Sequence, residues 1–395
     1  MRAWSESPYE RVTPLREVTA RGTVLATENG ESEVLYEIAD QPGWIVKRYR
    51  PGFPRDPVDV LDRLIALPSG MPPTDLALVD SSTSWPVSRV VDGDRTVGVI
   101  LARAPAAFSV PIRLISGTTQ ARLLEVDQLV QTDPDFFTRR GWEPPTVTER
   151  LAVARGLAAV GAVFERHDVV YGDWSYANAF WTRGDGRVFV IDVDSCGIAD
   201  RPWAESKSWD DPSFAPGTRL TTLTDRYKLA VLVLRCLSGV RGMDFQAAHA
   251  ALPPPIRGGP LGTALRTALT ADPERRPAMS ELLALLDSAV TDLPGTASAR
   301  SSTTSDRSSA PPDRPGPRTA DRSGARVADR RPDAVRAPSS RSGSPEPSSP
   351  AVLKARASDA TDPAAPERVV SLIVMLCFVL LAVLAVAGLV TLFVP

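Results

Sequence analysis

Apolar positions in the first fifty residues fall into three strand-like runs, 18–27, 33–39 and 43–50. The turn residues Glu28-Asn29-Gly30 and Gln41-Pro42-Gly43 separate them, which predicts three strands folded back on one another. Over 56–67 the pattern becomes helical: Val58, Leu61, Leu64 and Ile65 share one face, and Pro57 is tolerated in the first turn. Residues 85–91 and 96–101 read as a further hairpin around Asp92-Gly93-Asp94. Helical stretches are then expected at 119–130 and at 146–166, the second marked by Leu151, Val153, Leu157, Val160 and Val163. The helix that starts at Thr224-Asp225 is nearly all apolar as far as Leu234, and a helix apolar all round must be buried. A last helix is expected at 280–290. Strands early and helices late give an α+β fold class.

One stretch, 167–197, holds polar residues that its apolar strands would otherwise exclude. Asp173 and Asn178 stand in the frame D-x-x-x-x-N, and Asp192 follows the run Val188-Phe189-Val190-Ile191. Asn178 to Trp181 and Arg187 to Ile191 read as two short strands joined at Gly184-Asp185-Gly186. Pairing them brings Asn178, at the start of one, near Asp192, at the end of the other. An amide oxygen and a carboxylate converging there suit a hard cation such as Mg²⁺. Asp173, on the loop leading in, is placed to receive a hydroxyl proton. These are the parts that phosphoryl transfer needs.

Composition narrows the setting. A chain of 395 residues holds one large or two medium domains with a real core. A net charge of -2 gives no general pull towards nucleic acid or anionic lipid, so no nucleic-acid partner is expected. Cys196, Cys236 and Cys377 are odd in number and far apart, against a disulfide scaffold and in favour of a reducing compartment. His167 and His249 are too few to build a metal site with them. The first residues show no apolar stretch of the secretory kind.

On these residues the chain resembles the protein-kinase superfamily. Tyr171-Gly172-Asp173 resembles the His-Arg-Asp loop, Asn178 the loop asparagine, and Ile191-Asp192-Val193-Asp194 the strand end plus Asp-Phe-Gly, with Asp194 in place of the glycine. Trp44-Ile45-Val46-Lys47 resembles the Val-Ala-Ile-Lys strand, and Asp272-Pro273-Glu274-Arg275-Arg276-Pro277 the Asp-Pro-x-x-Arg-Pro segment near the end of the domain. The resemblance implies a bilobal domain over 18–292, with a small β-rich lobe to about 104 and a larger helical lobe from about 105. It implies ATP and Mg²⁺ as cofactors. It makes Asp173 the catalytic carboxylate, Asn178 and Asp192 the metal ligands, and Lys47 the residue on the nucleotide phosphates. Gly30 would lie in the glycine-rich loop, although one glycine stands where the family has three. Leu101 and Ala102 would belong to the hinge that meets the adenine edge. Asp62 would be the helix acid that pairs with Lys47. Asp225 would hold the catalytic-loop backbone or cap its own helix. Arg276 would pair with an acid of the substrate segment, Asp210 or Asp211.

Outside that domain, 1–17 reads as an N-terminal extension. Residues 293–367 are rich in Ser, Pro and Arg with almost no aromatics, a composition that cannot bury enough apolar surface to fold. Residues 369–394 are uncharged throughout, about 39 Å as a helix and enough to cross a hydrocarbon core of about 30 Å. With arginines on the N-terminal side only, the expectation is a single-pass, tail-anchored protein of the cell membrane with a cytoplasmic catalytic domain. The protein substrate is unknown, and the linker's own Ser and Thr residues are candidates. Three functions follow: a Ser/Thr protein kinase, a membrane-tethered pseudokinase serving as a scaffold, and a small-molecule phosphotransferase on the same fold.

Overall fold

Alternation along the first strands decides which side of the sheet each residue serves. In the computed structural model, which describes residues 4–52, 58–113, 117–131, 133–203, 208–270 and 272–292, β1 (Val12–Pro14) is followed by three antiparallel strands. These are β2 (Arg21–Asn29), β3 (Ser32–Ile38) and β4 (Trp44–Tyr49); α1 (Val58–Ala66), α2 (Pro73–Ser82), β5 (Pro86–Asp92) and β6 (Arg95–Ala102) complete the lobe. The six strands form one sheet in the order β1-β5-β6-β4-β3-β2. Val18, Val34, Tyr36, Trp44, Val46 and Ile100 build the core on one face. On the other, Ile45, Tyr49, Val99 and Leu101 pack against Leu61 and Ile65 of α1. Lys47 lies between Ile45 and Tyr49 in β4, so it shares the face that α1 covers.

The helical lobe opens with the hairpin β7 (Ser109–Arg113) and β8 (Thr119–Leu123), then α3 (Pro134–Thr138) and α4 (Val147–Arg166). Thr146 and Glu149 form a capping box at the start of α4, the signature Thr-x-x-Glu predicts. Short strands follow: β9 (Val169–Val170), β10 (Ala179–Trp181), β11 (Val188–Val190) and β12 (Gly197–Ile198). Then come α5 (Thr222–Ser238), α6 (Phe245–Ala250), α7 (Pro254–Gly258), α8 (Pro260–Thr270) and α9 (Met279–Thr291). From Leu229 to Leu234 every residue of α5 is fully buried, and α4 packs on both α5 and α9.

Two local expectations change. The stretch 119–130 is not a helix: Thr119 to Leu123 pair with β7, and only Val126–Gln128 makes a helical turn. Leu124, Val126, Leu129 and Val130 are nonetheless buried in the helical lobe's core, which accounts for their helix-like spacing. The expected extension 1–17 contributes β1, which runs parallel to β5, with the Thr13 and Ser88 hydroxyls 2.7 Å apart. Helix α2 has no clear apolar stripe; it packs against α4 and β11, and its Asp75 bonds His167 at 2.9 Å. The linker expected at 293–367 and the membrane helix expected at 369–394 lie outside the described residues. Among the described residues no helix is long and apolar enough to cross a membrane.

Of the two acids open to Arg276, the partner is Asp211. Its carboxylate takes both terminal guanidinium nitrogens, one at 2.9 Å, and each side chain is 1% exposed. Arg276 also donates to Ser213 Oγ and to the Leu223 carbonyl. Removing one member of a buried pair strands the other's charge. Arg276→Ala is therefore expected to cost about 3–5 kcal/mol in denaturant unfolding, whereas Asp62→Ala, at a half-exposed pair, costs about 1 kcal/mol or less.

Candidate active site

The site is built upward from α5. Asp225, fully buried in the first turn of that helix, accepts the backbone N–H groups of Tyr171 and Gly172, each at 2.7 Å. The helix cap itself belongs to Thr221, so of its two possible roles Asp225 takes the loop-holding one. Burial pushes the Asp225 carboxyl up to about 7, while the two amides and the Lys228 charge act the other way. Lys228, one helical turn on, donates to the Gly172 carbonyl at 3.0 Å and lies 3.4 Å from Asp210. Gly172 has φ +70°, and a Cβ there would meet Arg201 Cδ at 2.7 Å and Leu220 Cδ1 at 2.8 Å. The Arg201 guanidinium donates to the Tyr171 carbonyl, and Arg201 and Leu220 exchange backbone hydrogen bonds at 3.0 and 2.9 Å.

The loop so fixed delivers Asp173 to Asn178. The Asn178 amide nitrogen donates to Asp173 Oδ2 at 2.7 Å and to the Asp173 carbonyl at 2.9 Å. Its backbone oxygen accepts from Ile191 N at 3.0 Å, beside the β10–β11 pair Ala179↔Val190. The next residue, Asp192, has a left-handed backbone (φ 60°, ψ 30°), uncommon away from glycine. It turns the chain out of β11 into the short helical turn Val193–Ser195. The strand pairing predicted from the sequence therefore does bring Asn178 and Asp192 together.

Lys47 reaches this point from the sheet. Its ammonium lies 3.4 Å from Asp192 Oδ1 and 3.0 Å from Asp194 Oδ1, and the Tyr49 hydroxyl donates to Asp194 Oδ2 at 3.1 Å. Burial pulls the lysine's pKa down, but Asp192 and Asp194, with Tyr49 and Glu31 adding to them, outweigh it and hold Lys47 charged. The lysine thus meets Asp192 and Asp194, and Asp192 follows Ile191, whose N–H is bonded to the Asn178 that holds Asp173.

Asn178 and Asp192 are suited to a hard cation. The Asn178 nitrogen is committed to Asp173, which leaves its Oδ1 as the ligating atom, and Asp192 keeps a third of its side chain open to solvent.

Three expected site residues stand elsewhere, while Gly30 is at the hairpin tip where it is expected. Asp62 does not pair with Lys47. The inward positions of α1 are the apolar Leu61, Leu64 and Ile65, and Asp62 turns out to Arg89 at 2.8 Å. Leu101 and Ala102 are not hinge positions, because β6 runs through both. Leu101 pairs with Ile45 and Pro86, the Ala102 N–H donates to the Trp85 carbonyl, and the Ala102 carbonyl accepts from Ser84 Oγ at 2.7 Å. Gly30 occupies the exposed tip of the two-residue β2–β3 turn, with φ +54° and open space where a Cβ would sit. That is the requirement of a tight turn. In contrast, Asp194, treated in the sequence as a replaced glycine, is the lysine's nearer partner. The one available signal was a second acid two residues after Asp192.

No family model matches the chain, and no curated protein matches it. Among solved structures it is similar to the ROP18 kinase domain in complex with AMP-PNP and sucrose. That likeness covers 72% of this chain and 83% of that one, at 16% identity and a TM-score of 0.47. The chemistry has to be read from the side chains.

Gly172 carries a direct check on this packing. Gly172→Ala places a methyl group against Arg201 and Leu220 in a left-handed backbone, and is expected to lower stability by about 1–3 kcal/mol in thermal or denaturant unfolding.

Proposed function

We propose that the chain is a protein-kinase-like phosphotransferase that moves the γ-phosphoryl group of ATP to a Ser or Thr hydroxyl of a protein. The observation that carries this reading is the meeting of Lys47, from the sheet, with Asp192, from the turn after β11, whose strand pairs with the one that follows the Asp173–Asn178 pair.

In this reading Asp173 accepts the proton of the attacking hydroxyl while Asn178 Nδ2 holds its carboxylate in place. Lys47, kept charged by its carboxylate neighbours, binds the nucleotide phosphates. Asn178 and Asp192 would hold Mg²⁺, which neutralises charge on the phosphate oxygens when bound. The remaining contribution is positioning: Asp225 and Lys228 fix the loop, and Arg276–Asp211 fixes the segment beyond it. The uncharged run 369–394 supports anchoring in the cell membrane, with the catalytic domain in the cytoplasm and the linker as a nearby substrate.

A scaffold that binds without transferring is the second reading, and three features favour it. Backbone groups of Ala102 and Arg103 are engaged within the protein, one glycine stands at the β2–β3 turn, and Glu31 adds negative charge near Lys47.

Radiolabelled ATP, Mg²⁺ and the purified chain decide between them. The proposal expects label in protein, on Ser or Thr by mass spectrometry. It expects Asp192→Asn and Asp173→Asn to lower transfer by about 10²–10³-fold or more, with the melting transition retained. Label confined to a small molecule would identify the third function, and binding with no transfer to any acceptor would identify the scaffold.

A further inference from the structure

Lys47 is bracketed by two carboxylates that come from one short turn, and the helix facing it supplies none. Asp194 is the nearer, its side chain is 0% exposed, and the groups it bonds are Lys47 and Tyr49, two residues apart on one face of β4. A carboxylate buried to this extent is tolerated where charged and hydroxyl donors satisfy it, as they do here. Helix α1 packs against the same turn and against β12, but through apolar positions, with Asp62 directed to Arg89.

We propose that Asp194 is the residue that positions Lys47 for the nucleotide, so that the lysine's engagement is set by the turn after β11 and not by α1. This rests on the phosphotransferase reading of the site. The argument is one of allocation. Asp192 is the partly exposed carboxylate that a divalent cation would claim, and one carboxylate cannot serve a cation and an ammonium equally well. Asp194, inaccessible to solvent, stays with Lys47 throughout.

The turn that carries Asp194 is itself held to the helical lobe. Gly197 and Ile198, directly after it, pair with Val170 and Val169 immediately before the catalytic loop. The Lys47–Asp194 bond is thus a clamp between the sheet and the loop that bears Asp173. A change in the segment from Asp192 to Ile198 would release lysine and loop together, with no movement of α1 needed.

The test is nucleotide affinity and steady-state transfer in the full chain, with ATP and Mg²⁺, for Asp194→Asn, Asp62→Asn, Tyr49→Phe, Lys47→Met and the double variant Lys47→Met/Asp194→Asn. Asp194→Asn is expected to weaken ATP affinity and raise the KM for ATP about tenfold or more, and Tyr49→Phe about two- to fivefold, with Asp62→Asn within about twofold of wild type. In the Lys47→Met background, Asp194→Asn should add nothing further, because its effect runs through the lysine. The proposal is overturned if folded Asp194→Asn matches wild type, or if its loss is undiminished without Lys47, which marks a purely structural role. Should Asp194→Asn fail to fold, Tyr49→Phe decides alone, and unchanged affinity there overturns it. Wild-type protein that binds no nucleotide brings down the phosphotransferase reading first, and this proposal with it.

Discussion

Asp225 accepts two backbone N–H groups from inside a helix that is apolar almost all round, and the loop from Tyr171 to Asp173 has no freedom to lie elsewhere. A carboxylate in such surroundings is expensive to bury and is kept because it is satisfied on the spot, by the amides of Tyr171 and Gly172 and by the nearby Lys228. From that anchor the chain geometry follows outward. Gly172 must be glycine, Arg201 fills the space a side chain would need, Asp173 is delivered to Asn178, and Asn178 is tied by its backbone to Ile191, immediately before Asp192.

The second constraint joins this base to the sheet. Lys47 is buried, which disfavours its charge, and is held charged by carboxylates that arrive from the other lobe. An ammonium and two acids in a poorly solvated pocket interact strongly and with defined geometry, and Tyr49 satisfies the remaining Asp194 oxygen. The arrangement orients one ammonium group and leaves Asp192 as the solvent-facing acid. Phosphoryl transfer depends chiefly on such positioning, since the attacking and leaving oxygens need alignment and charge neutralisation more than covalent help.

Much of this was legible in the sequence because isolated polar residues in apolar strands and helices are costly without a task. Asp173, Asn178 and Asp192 stand out on that ground, Asp225 and Arg276 through the resemblance, and the structure brings each to a defined partner. The errors have physical causes as well. Asp62 was chosen for its place on a helix, but an acid's position along a helix does not say which way it faces, and the inward stripe of α1 is apolar. Leu101 and Ala102 lie where a hairpin pattern ends in sequence, whereas tertiary pairing with β4 and β5 carries the strand through them. The stretch 119–130 mixes a strand with core leucines whose spacing imitates a helix. Asp194 was missed because it looked like the loss of a glycine when it was the gain of a carboxylate.

The central claim is that Lys47, Asp192 and Asn178 form a site for a nucleotide together with a divalent cation. Calorimetric titration of the chain with ATP, in Mg²⁺ and in EDTA, tests it most directly. The account predicts saturable binding that needs Mg²⁺ and is weakened about tenfold or more, though still measurable, in Lys47→Met. Absence of binding under both conditions, or binding indifferent to the cation and to Lys47, would contradict it.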